Sequence, residues 1–207
     1  MAGLLSSFRT TLIVSILLAL VMIYAFAGGS GRGLGDADLW QAIFRWLHVF
    51  FGILWIGLLY YFNFVQIRVM PAIAAELKPA VTRHIAPEAL FWFRWSALAT
   101  VVAGLAVAFM RGHAYAVEVL SLGFAGGYTA ADRGFTLMGI GVWLAIVMFL
   151  NVWGVIWPNQ KRALGLVEAD DATKARAGKT AMLGSRINLL LSLPMLTSMA
   201  MYQTLFG

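Results

Sequence analysis

Arg45 and His48 stand three residues apart, close to one helical turn, at the start of an apolar stretch, residues 45–66, long enough to cross a bilayer. A helix in hydrocarbon gains nothing from a guanidinium or an imidazole unless the group meets protein, water or a cofactor. Two chemistries suit His48. It can ligate a haem iron, with His113 or Met138 as a second ligand and Arg45, on the same helical face, paired to a propionate. Alternatively it is a neutral imidazole hydrogen-bonded to a neighbouring helix, and His113 is a loop residue. With no cysteine in the chain, disulfides, thiolate metal sites, iron–sulfur clusters and covalent c-type haem are excluded, so any haem or metal is held by histidine, methionine, carboxylate or carbonyl, and the expected cofactor is haem b.

A second group of polar residues falls at one depth on four apolar stretches: Asn63, Arg94, Asn151, Arg186 and Asn188. Read as a substrate pocket, it offers guanidinium charges to an anion and amide edges to a planar heterocycle. Read as packing, the amides join helices by hydrogen bonds and the arginines reach out to the headgroups. The sequence leaves both readings open.

The elements that must position these residues are membrane helices. The chain has 207 residues, 61% hydrophobic and 12% charged, with a mean hydropathy of +0.83, against roughly 25% charged residues in a soluble domain. The pattern predicts an all-α integral membrane protein: one domain, residues 1–207, as a bundle of five transmembrane helices at about 10–27, 39–68, 88–111, 135–157 and 181–205. The apolar run at 115–124 is too short to cross, which predicts a short surface or re-entrant helix between spans three and four. Asp36 and Asp38, just before span two, suit a helix N-cap. Arg9 followed by the apolar run 11–27 looks like a secretory leader, but that run is longer than a usual leader core, which favours a retained first helix.

The net charge of +6 comes mostly from loops beside the spans, where topology and lipid headgroups account for it, so nucleic acid is not an expected partner. Arg9, Arg68, Lys78, Arg83, Lys161, Arg162, Lys174, Arg176 and Lys179 fall on one side, against Arg32, Arg111 and Arg133 on the other. That imbalance predicts a cytoplasmic N-terminus and a periplasmic C-terminus in a bacterial inner membrane. There is no G-x-x-x-x-G-K-[ST], H-E-x-x-H or G-x-S-x-G, so nothing points to a nucleotide enzyme or a hydrolase.

Four blocks carry a family resemblance. His48-Val49-Phe50-Phe51-Gly52-Ile53-Leu54-Trp55-Ile56-Gly57, Phe91-Trp92-Phe93-Arg94-Trp95, Asn151-Val152-Trp153-Gly154-Val155-Ile156-Trp157-Pro158-Asn159-Gln160, and Ser185-Arg186-Ile187-Asn188 with Leu193-Pro194 resemble, in order, the bacterial membrane urate hydroxylase (PuuD) family, the urate oxidase N-terminal membrane domain. The resemblance implies an inner-membrane protein linked to purine oxidation, whose full-length members pass electrons to a C-terminal c-type cytochrome domain. This chain departs from it twice: it has no Cys-x-x-Cys-His, and Ile187 stands where the family block has a histidine. The expected function is haem b-linked or otherwise redox-linked membrane electron transfer, extending to urate oxidation with a separate cytochrome. A non-catalytic accessory subunit of a larger membrane complex is the alternative, and a small-solute or metal-ion permease a weaker one.

Overall fold

The protein, described by a computed structural model over residues 2–129 and 132–206, is helical throughout, with no strand among the described residues. Six helices follow in order: α1 (Phe8–Gly29), α2 (Ala37–Ala72), α3 (Lys78–Met110), α4 (His113–Leu120), α5 (Arg133–Ala163) and α6 (Asp171–Leu205). Four of them, α1, α2, α3 and α5, are long and apolar enough to cross a membrane, which makes this a multi-pass membrane protein. The long α6 falls short of that apolarity over its length. Its first turns are charged, and further on it turns Ser185, Asn188 and Ser192 inward, all buried. The predicted short helix between the third and fourth spans is α4, of 8 residues.

Several helices run further than their apolar stretches. Span two continues to Ala72 and α3 already starts at Lys78, so the connection expected at 69–87 shrinks to five residues. Pro79 occupies the first turn of α3, where its missing N–H costs nothing. Likewise α6 begins at Asp171, ten residues before its expected start, because Asp170 caps it: the carboxylate accepts from Thr173 N at 2.7 Å and Thr173 Oγ1 at 2.8 Å. Those bonds hold the Asp170 carboxyl below its usual range. At α2, Asp36 is the cap, accepting from Asp38 N at 2.8 Å.

Three π-helical turns interrupt the long helices, at Tyr61–Gln66, Val81–Ile85 and Val152–Ile156. The last two lead directly into Pro87 and Pro158, whose rings would clash with the carbonyl four residues back in a regular ladder; the extra residue per turn relieves the clash. The first has no proline. There the Asn63 side chain donates to Leu59 O at 2.9 Å and takes the place of a ladder bond.

Helices α2 and α3 pack antiparallel, His48 meeting Thr100 near one end and Phe62 meeting Phe93 edge-on at 5.6 Å near the other. Helices α5 and α6 pair likewise, at Gly141 with Ser198 and at Asn151 with Asn188. Small residues bring these backbones close: a Cβ on Gly141 would lie 2.5 Å from Ser198 Oγ. The two pairs share one core, in which Trp55, Leu59, Phe93, Met148, Ile156 and Met195 are buried. Helix α1 stands apart from that core and buries none of its residues.

Candidate functional site

Between α2, α3, α5 and α6 lies a cavity of about 710 Å³, within the ~300–1,000 Å³ usual for small-molecule and cofactor sites. Its wall is mostly aliphatic. Arg45, His48, Arg111, Tyr115 and Gln203 bring polar groups to one end, and Tyr60 and Thr100 lie further in. No aspartate or glutamate lines it.

His48 is set by α3. A Cβ on Gly104 would come within 2.7 Å of both the Cε1 and Nδ1 atoms of the ring, so glycine is what lets the imidazole lie flat on the α3 backbone. Its Nδ1 is 2.8 Å from Thr100 O. A carbonyl oxygen can only accept, so Nδ1 carries a proton here, and Nε2 is the nitrogen that a ligand would meet. That nitrogen has no protein partner among the described residues. A histidine locked through one nitrogen to a backbone carbonyl, with the other free, has the arrangement of a metal or haem ligand.

Of the residues singled out for a cofactor, Arg45, His48 and Met138 line this one cavity. His113 does not: it opens α4 on the exposed surface, its ring 6.3 Å from that of Phe109. The sequence reading passed over the end wall. Arg111, the C-cap of α3, donates through Nη1 to Tyr115 Oη at 3.3 Å and lays its guanidinium 4.3 Å from the Tyr115 ring. Tyr115 Oη in turn donates to the buried Tyr202 Oη at 3.1 Å, tying α4 to α6. Burial, then the bond to Tyr202, push the Tyr115 phenol above its usual range against the pull of Arg111, so it stays protonated at neutral pH. An arginine followed four residues later by a tyrosine was the available signal, obscured because Arg111 reads equally well as a loop charge.

The second predicted group is gathered only in part. Asn63 Nδ2 donates to Leu59 O and to Ser185 Oγ, each at 2.9 Å. Asn151 Nδ2 donates to Asn188 Oδ1 at 2.7 Å and Gly184 O at 2.8 Å, and Asn188 Nδ2 donates to Met148 O at 3.0 Å. These bonds join α2, α5 and α6, and none of the three asparagines lines the cavity. Arg94 lies elsewhere, its guanidinium 3.9 Å from the Trp157 ring and 5.3 Å from that of Phe91, as expected of a cation reaching out through interfacial aromatics. Arg186 is exposed. Ile187, where the family block has a histidine, is 51% exposed and lies off the cavity.

The donor set suits a haem better than a bare ion. Among the described residues no three histidine or acidic side chains gather to hold a metal. The cavity instead combines one histidine, one thioether, glycines at 52 and 57 that leave room for a flat ring, and two cations at one end. No curated protein and no solved structure matches this chain. A family model described as urate oxidase N-terminal matches residues 108–206, just under half the chain, from the end of α3 through α6, and agrees with the membrane family to which the four sequence blocks point.

Proposed function

We propose that this chain is a redox-linked membrane protein that holds haem b in the cavity between α2, α3, α5 and α6, and that it serves electron transfer or urate oxidation together with a separate cytochrome. The observation that carries the reading is the placement of His48: Nδ1–H held by Thr100 O and Nε2 without a partner among the described residues, on the wall of an apolar cavity. His48 would ligate the iron, Met138 is the candidate for a second ligand, and Arg45 would pair with a propionate. A haem so held supplies reversible one-electron transfer; the protein supplies the ligands, the apolar wall and the charge at its edge. The match to the urate oxidase N-terminal family supports the link to urate.

In this reading α6 crosses the bilayer as a fifth span, its polar face satisfied inside the bundle. The distribution of Lys and Arg then puts the N-terminus in the cytoplasm of a bacterial inner membrane and the His48 end of the cavity toward the periplasm, where a cytochrome would collect electrons.

The test is a reduced-minus-oxidised visible spectrum of the purified protein beside His48→Ala, with haem counted by pyridine extraction. A b-type band in the parent, lost in a folded His48→Ala, is the expected result. A blank spectrum from protein produced with haem supplied would overturn the reading. One observation favours a second reading, an accessory subunit of a larger membrane complex: α1 buries no residue of its own and is free to pack on another chain. Co-purification with larger partners that is lost when α1 is deleted, together with a blank spectrum, would establish it.

A further inference from the structure

Two guanidinium groups reach the same end of the cavity from different helices, Arg45 from α2 and Arg111 from the end of α3. Neither is paired with a carboxylate. The only ion pairs among the described residues are Arg32 with Asp38 and Lys174 with Asp171, and no acidic side chain lines the cavity. Arginine does not lose its charge in a protein, so the cavity presents two standing positive charges at one end of an apolar body. Arg111 is also held in place: Tyr115 accepts its Nη1–H and receives the guanidinium on its ring, and the buried Tyr202 fixes Tyr115. An arginine free to reach the headgroups needs no such support.

We infer that Arg45 and Arg111 form a clamp for an amphiphile with two acidic groups at one edge and an apolar remainder, Arg111 being a binding residue and the Tyr115–Tyr202 pair its positioning residues. This rests on the reading of the cavity as a haem b site, and it assigns the two propionates to these two arginines. Both arginines are exposed at the edge of the cavity, and each guanidinium then forms charge-assisted hydrogen bonds to a carboxylate there.

The experiment titrates haem-depleted full-length protein in detergent with haem b and, separately, with haem b dimethyl ester, whose propionates carry no charge, following the Soret band. The parent should bind the acid at least about tenfold more tightly than the ester. Arg111→Gln and Arg45→Gln should each weaken the acid about five- to tenfold and leave the ester within about twofold, while Arg111→Lys restores part of the loss. Tyr202→Phe should weaken the acid by a smaller factor in the same direction. His48→Ala should abolish the b-type Soret band with both ligands. Equal affinity for acid and ester, or equal losses for both in the arginine variants, would overturn the clamp while leaving the haem site standing. Binding of neither ligand would overturn the haem site and the clamp with it.

Discussion

The amide cluster and the cavity wall are built from the same kind of material, polar side chains on otherwise apolar membrane helices, and they end in opposite states. Asn63, Asn151 and Asn188 each donate to protein carbonyls or to one another, so three helices are joined and nothing faces a ligand. Around His48 the donors and charges stop at a cavity: an imidazole nitrogen without a partner and two guanidinium groups without a carboxylate. A polar residue inside a span therefore does not by itself mark a site. What marks one is a polar group that the protein has positioned and left unpaired.

The largest effect that separates the two regions is expected at Gly104. Replacing it with alanine puts a Cβ within 2.7 Å of the His48 ring, and because the intruding atom is tied to backbone, the ring has to leave. The Nδ1 bond to Thr100 O goes with it, and the predicted b-type band should be lost as completely as in His48→Ala. The cost in stability should be about 1–3 kcal/mol, as for other overpacked sites. Retention of an unaltered band in Gly104→Ala would mean that this packing does not set the ligand.

Asn188→Leu should behave in the opposite way. It removes a fully buried amide whose Nδ2 donates to Met148 O and whose Oδ1 accepts from Asn151, so each of those partners loses one hydrogen bond. A loss of about 1–3 kcal/mol in thermal or denaturant unfolding is expected, with the ligand spectrum of the remaining folded protein unchanged. If Asn188→Leu instead abolished ligand binding without lowering stability, the cluster would be a site after all and the contrast between the two regions would collapse.

The two regions also differed in how far the sequence disclosed them. Helix number and positions followed from apolar length, and so did the short α4. The ends did not, since Lys78 and Asp171 lie in polar stretches whose helicity is set by Pro79 at a tolerated position and by Asp170 capping, not by hydropathy. Equal depth along their helices groups the three asparagines with Arg94 and the exposed Arg186, because depth carries no information about the azimuth of a side chain. For the cavity, a turn-spaced arginine and histidine were visible at once. Arg111 and Tyr202 were not, because their meeting joins the end of α3 to the end of α6 across more than eighty residues of chain.

Trp55 sharpens the comparison with the smallest change, because it sets an unpaired polar group where the buried core meets the cavity. It is fully buried in the shared core, it forms part of the cavity wall, and its indole N–H has no acceptor among the described residues. An orphaned buried donor costs on the order of 1–3 kcal/mol. Trp55→Phe removes that donor, at the expense of a small void where the larger ring had been, a loss of comparable size. The two should nearly cancel, leaving unfolding within about 1 kcal/mol of the parent. Haem b has no acceptor on its apolar flank, so its affinity should also stay within a few-fold. A large loss of affinity without loss of stability would instead mean that the indole donates to the occupant of the cavity. That occupant would then carry an acceptor far from its acidic edge, and haem b would not be the molecule that fits.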